Sequence, residues 1–192
     1  SRAFFIESLG NPKLDVLDIK SISAEAKKAA LPLIVDNTVA TSYLVKPIEH
    51  GANIVIHSLT KYMGGHSDVI MGEVVCKDDI LAEKLYSIQN TCGAIPGPQD
   101  SFLVLRGIRT LHLRMQRHCE NGKIIADFLK NHPKIDSVYW PGFKSHPNHK
   151  IAKRQMDDFG GMISFTLKGN KLEDAKKVSS SMKFFTLAES LG

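Results

Sequence analysis

Residues 53–68, NIVIHSLTKYMGGHSD, decide how this chain folds. Asn53 to Ser58 is a short, continuous apolar run, the pattern of a strand buried on both faces of a sheet. It passes at once into two hydroxyls, Ser58 and Thr60, then Lys61, then the glycine pair Gly64-Gly65. Upstream, Leu33-Ile34-Val35-Asp36 is a second apolar run, and it ends in an acid. Ala3 to Glu7 reads as another buried strand, closed by the turn-forming Gly10-Asn11-Pro12. Val69 to Cys76 is expected to add one more.

Helices separate these runs. Asp18 is placed to cap a helix through Ala30, with Ile19, Ile22, Ala26 and Ala29 on one face. Pro47 and Gly51 bracket a single helical turn. Asp78 caps a further helix to about Asn90, and Pro98 to Lys130 predicts two helical segments meeting near Gly107–Thr110. After His132-Pro133 the texture changes. Short strands (Ser137 to Trp140, Met162 to Leu167) flank a polar loop, Ser145 to His149, and a helix follows near Leu172 to Ser180. Apolar strands alternating with helices predict an α/β fold with a parallel or mostly parallel sheet. The domain boundary is expected near residue 119, giving units 1–119 and 120–192.

Composition narrows the function. The 192 residues are 43% hydrophobic and 23% charged, which excludes a largely disordered chain. Apolar runs as short as Leu33-Ile34-Val35 exclude a membrane span, which needs ~20 residues. The net charge of +5 is spread along the chain and mixed with acids, so nucleic acid is not an expected partner. Cys76, Cys92 and Cys119 form neither a disulfide framework nor a metal pair, which suits a reducing cytoplasm. His146 and His149 in SHPNH lack a cysteine or acid partner and read as surface-loop histidines, so no metal is expected. Ser1 is not Met and runs straight into a strand, while Leu191-Gly192 follows an apolar segment; the chain reads as a piece of a longer protein.

Ligands of open α/β sheets bind beyond the carboxyl ends of the strands, and two such ends carry chemistry here. A lysine just past a strand is by default a solvated loop residue. A desolvated lysine among other polar groups is instead a usable amine nucleophile. Ser58 and Thr60 beside it could hold one anion, such as a cofactor phosphate. Asp36 by itself would be a cap or an ion-pair partner. Yet a carboxylate that keeps a pyridine nitrogen protonated is what a pyridoxal phosphate site needs. Acid, lysine and hydroxyls on neighbouring strand ends form one connected set of roles.

The stretches ESLGNP (7–12), VDNTVATSYL (35–44), HSLTKYMGGHSDVIMG (57–72), LRGIRTLHLRMQRHCEN (105–121), YWPGFKSHP (139–147) and FTLAESLG (185–192) resemble the cystathionine γ-synthase/γ-lyase group of pyridoxal phosphate enzymes. The resemblance runs through the whole chain in order. It implies a fold-type I transferase-like domain with helices on both faces of the sheet. Residues 1–119 would be the C-terminal part of that large domain, and 120–192 the start of a smaller α+β one. It implies that Lys61 carries pyridoxal 5'-phosphate covalently and later moves protons. Asp36 would pair with the pyridine nitrogen, and Ser58 and Thr60 would bind the phosphate. Asn11 would lie near the cofactor ring and the substrate carboxylate, Ser190 near that carboxylate, and Thr38 along the pocket wall. Thr41-Ser42-Tyr43-Leu44 departs from the group's usual Thr-Pro-Tyr-Leu, loosening a turn without altering the chemistry.

The implied reactions are γ-replacement or γ-elimination on homoserine esters or cystathionine. O-acetylhomoserine sulfhydrylase and methionine γ-lyase are the alternatives within the group, and a truncated, inactive assembly module is the non-enzymatic one. The group also implies a homotetramer in the cytoplasm. Its members are longer chains, whose other parts hold a glycine-rich phosphate cradle, a stacking aromatic and a carboxylate-gripping arginine. This chain alone is therefore expected to be inactive. His66 and Asp68 are read as orienting the loop after Lys61, and Cys119 as structural.

Overall fold

The computed structural model describes residues 1–192, and its frame is one four-stranded sheet. The strands are β1 (Phe4–Glu7), β2 (Leu33–Asp36), β3 (Ile54–Ser58) and β4 (Gly72–Cys76), side by side in chain order. The first three run parallel, with Asp36 opposite Glu7 on one side and Ile56 on the other. Strand β4 returns antiparallel to β3, pairing His57 with Glu73 and Ser58 with Gly72. The sheet is thus mostly parallel, as the apolar runs predict.

Crossover elements connect the parallel strands. Helix α1 (Ile19–Lys28) is capped by Asp18, whose carboxylate accepts from Ser21 N, and it stops before Ala30. A short helix, α2 (Thr41–Leu44), and a 3-10 turn (Pro47–His50) lie between β2 and β3. Gly51 ends that turn at φ 98°, a left-handed conformation that glycine adopts without a Cβ penalty. Asp78 caps α3 (Asp79–Cys92) through Leu81 N. The predicted break near Gly107–Thr110 separates α4 (Pro98–Ile108) from α5 (Leu111–Lys130). None of these helices is long and apolar enough to cross a membrane.

A main core of 22 buried residues gathers Leu14, Ile19, Leu33, Val35, Leu44, Val55 and Leu59 against Met115 and Cys119 of α5. Farther along α5, Ala126 belongs to a second cluster with Trp140 and Phe143. The remaining elements are β5 (Ile135–Tyr139), α6 (His149–Gln155), β6 (Ser164–Leu167) and α7 (Leu172–Ser180), with β5 and β6 antiparallel. Gln155 ties this part back to the first helix: it accepts from Ile19 N at 2.9 Å and donates to Leu17 O at 3.0 Å.

The structure corrects two expectations and adds one helix. The strand expected over Val69–Cys76 begins only at Gly72, because Met71 spends its backbone on the preceding turn, its O accepting from Leu59 N at 2.9 Å. The polar stretch Ser145–His149 leads into α6, a helix held by Gln155 and Asn148 and lacking a side-chain cap of its own. His146 is no surface residue: it is 7% exposed, its Nδ1 accepts from Asn148 N, and burial pushes its pKa down.

Candidate active site

Asp36 ends β2 beyond the apolar side chains of Leu33 and Val35, with its carboxylate outside the core. One oxygen accepts from Thr38 N at 2.9 Å. Thr38 Oγ1 in turn accepts from Ser58 N at 2.8 Å, linking the ends of β2 and β3. Between them Asn37 is fully buried and fully bonded. Its N–H donates to Ile56 O, its Oδ1 accepts from Ser8 Oγ at 2.7 Å, and its Nδ2 donates to Thr41 O and Val45 O, both at 2.9 Å. Asn37 thereby fixes three segments around the acid.

Past β3 the chain winds through one tight turn. Lys61 N–H donates to Ser58 O, Gly64 N–H to Leu59 O and Gly65 N–H to Lys61 O. The Lys61 ammonium donates to Ser190 Oγ at 3.0 Å, bringing the far end of the chain onto the turn. Gly192 seals that contact: a Cβ there would sit 2.5 Å from Tyr62 N. Thr60 Oγ1 accepts from Met71 N at 3.1 Å, so its hydroxyl closes the turn into β4. His66 Nδ1 lies 2.7 Å from Gly64 O, which places His66 as a support of the loop. An open cleft of about 580 Å³ lies beside these groups, lined by Thr60, Ser67, Asp68, Ile70, Asp100 and Ser190.

The structure therefore brings Asp36, Thr38 and Ser58 into one bonded chain, and Lys61 together with Ser190. Asn11 is exposed on the turn after β1, and its side chain makes no hydrogen bond to the others. Sequence reading missed Asn37 and also Arg114 of α5, whose guanidinium donates to the carbonyls of Tyr62 and Met63. The signal for Arg114 was the glycine pair it packs on.

Beneath the turn the surroundings are apolar. His57 is buried on the core side of β3, its Nδ1 has no partner, and burial lowers its pKa despite the nearby Asp36. Tyr62 meets His118 edge-on at 5.1 Å, and burial pushes its phenol up to about 12. The Cys119 thiol, buried and facing Asp158, is pushed up to about 11, which makes it a packing group and no nucleophile.

The model of the Cys/Met metabolism PLP-dependent enzymes matches residues 1–192, and the chain belongs to that family. It is 52% identical over 192 residues to a cystathionine beta-lyase of Lactococcus lactis subsp. cremoris, covering 100% of this chain and 50% of that protein. A cystathionine gamma-synthase of Mycobacterium leprae is 46% identical, with 100% and 49% covered. Among solved structures, cystathionine gamma-lyase from Lactobacillus plantarum, complexed with L-serine, superposes with a TM-score of 0.96 at 44% identity, over 100% of this chain and 50% of that one. The chain thus spans about half the length of the relatives it matches.

The polar groups present fit pyridoxal phosphate. Neither Asp36 nor Lys61 is tied up in an ion pair. Asp36 spends one oxygen on Thr38 and leaves the other without a partner in the chain, and the Ser58 hydroxyl has no acceptor within the chain. Amine, acid and hydroxyl all sit at the carboxyl ends of adjacent parallel strands, where such ligands bind.

Proposed function

We propose that this chain is the lysine-bearing half of an enzyme of sulfur amino-acid metabolism, performing γ-replacement or γ-elimination on homoserine esters or cystathionine. The observation that carries it is the pairing of Lys61 with Ser190 just beyond the strand end of Ser58, beside the Asp36 terminus of β2, in a chain of this family. When bound, pyridoxal phosphate supplies the electron sink that stabilises carbanions at the substrate carbons.

This chain's residues do the rest. Asp36 holds a proton on the pyridine nitrogen, which keeps the sink strong. Ser58 and Thr60 bind phosphate oxygens, and Thr38 braces Ser58 from behind. Lys61 carries the cofactor, then takes the α-proton as general base. Ser190 holds the amine on its path, and the substrate carboxylate is assigned to Ser190 and Asn11. Residues 1–119 form the end of the cofactor domain and 120–192 the start of a smaller one, a division favoured by the two core clusters that share α5. The same proposal has a homotetramer acting in the cytoplasm. Phe102, Leu105 and Leu113, exposed on α4 and α5, favour a further surface packed there.

The family's reactions are told apart by their products. The full-length protein is given cystathionine, and the 2-oxo acid is identified. Cysteine, ammonia and 2-oxobutanoate mean γ-elimination. Homocysteine, ammonia and pyruvate mean β-elimination, the reaction named for the Lactococcus relative, and would overturn the γ-carbon reading. Cystathionine formed from cysteine and a homoserine ester identifies a synthase. Sulfide incorporation or methionine cleavage instead would assign the sulfhydrylase or methionine γ-lyase branch. No turnover by a folded protein leaves the inactive assembly module.

A further inference from the structure

Arg114 stands in the first turn of α5 and makes no ion pair. Its guanidinium donates instead to backbone. Nη1 reaches Tyr62 O, Nη2 reaches Met63 O at 3.2 Å and Gly107 O at 2.9 Å, and Nε reaches Thr110 Oγ1 at 3.1 Å. One rigid fork therefore joins the turn after Lys61 to the junction of α4 and α5. A lysine ammonium has no such planar, multi-donor geometry.

The glycines on both sides are shaped to this contact. Gly65, at φ +71°, lies against the guanidinium so closely that a Cβ would come within 2.1 Å of Nη1. Gly107 lies against Gly64, where a Cβ would come within 2.2 Å of the Gly64 carbonyl oxygen. The pair Gly64-Gly65 thus serves as the seat on which Arg114 and α4 dock. His118, one turn further along α5, meets the Tyr62 ring edge-on at 5.1 Å and supports the same turn.

We propose that Arg114 is a positioning residue for Lys61: by gripping the two carbonyls that follow it, Arg114 holds the lysine turn in the one conformation that aims the amine past Ser190. The role rests on the reading of Lys61 as the cofactor-bearing lysine, and the guanidinium itself touches neither cofactor nor substrate. The lock acts before any cofactor binds, since it is complete within this chain.

The test uses the full-length protein freed of cofactor. Arg114→Met, Arg114→Lys and Gly65→Ala are compared by amide hydrogen exchange over residues 58–66 and by the rate at which added pyridoxal phosphate becomes reducible by borohydride onto Lys61. Exchange at Gly64 and Gly65 should rise by about tenfold or more in Arg114→Met and Gly65→Ala, while the rest of α5 keeps its protection. The labelling rate should fall by a similar factor. Arg114→Lys should fall between, and methylguanidine should restore the rate in Arg114→Met alone. Exchange that rises equally throughout α4 and α5, or labelling unchanged in all three variants, would overturn the proposal. If Arg114→Met does not fold, Gly65→Ala and Arg114→Lys carry the comparison. A wild-type protein that labels another lysine would refute the reading of Lys61 by itself, while the exchange arm still reports on the lock.

Discussion

The ammonium of Lys61 donates to the hydroxyl of Ser190 at 3.0 Å, although the two stand 129 positions apart in the chain. The hydrogen bond is solvent-exposed, so it contributes little to folding. Its consequence is directional, since it fixes where the amine points. Ser190→Ala in the full-length protein should leave stability within about 0.5 kcal/mol of wild type. The KM for the amino-acid substrate should rise about fivefold, the equivalent of about 1 kcal/mol from one lost hydrogen bond. Steady-state kinetics beside a urea titration checks this, and an unchanged KM would count against Ser190 as a substrate contact.

Asn37 carries a different load. It bonds Ser8, Thr41 and Val45 at once, and none of these partners can turn to water. Asn37→Leu keeps the branched shape but strands the Ser8 hydroxyl and the Val45 carbonyl, and leaves Thr41 O with the Val45 N–H alone. The expected cost is about 3 kcal/mol, read as a lower urea midpoint at unchanged slope. A loss below about 1 kcal/mol would mean that the segments hold their places without it.

Acid should weaken the fold through three histidines. Burial holds His57, His118 and His146 below the ordinary imidazole value, with Arg114 adding to the effect at His118. Below about pH 6.5 the unfolded chain therefore binds more protons than the folded one. The stability present above that pH is lost as pH falls through the depressed values of the folded state. Urea midpoints at about pH 7.5 and about pH 5.5 should show the drop, and His146→Gln should shrink it. Equal midpoints would contradict the burial of these rings.

What could be read from the sequence was whatever keeps its chemistry local. Asp36 ends one apolar strand and Lys61 lies three residues past the end of another, so each strand end announced its own residue, and Asp18 and Asp78 announced the helices they cap. The sheet direction followed from the same unbroken runs. Residues that act at a distance stayed silent. Asn37 meets Ser8 across 29 positions, Gln155 meets Ile19 across 136, and Arg114 meets Tyr62 across 52. Helix α6 escaped notice for that reason, because its anchors are tertiary bonds. His146 was misplaced because burial in a polar-looking loop is decided by neighbours such as Asn148 and Lys13.

The most direct test is borohydride reduction of pyridoxal phosphate onto the full-length protein, followed by peptide mapping. The label should fall on Lys61, and Lys61→Ala should carry none while remaining folded. A label on another lysine, or none on a folded wild-type protein, would contradict the assignment of this strand end as the cofactor site.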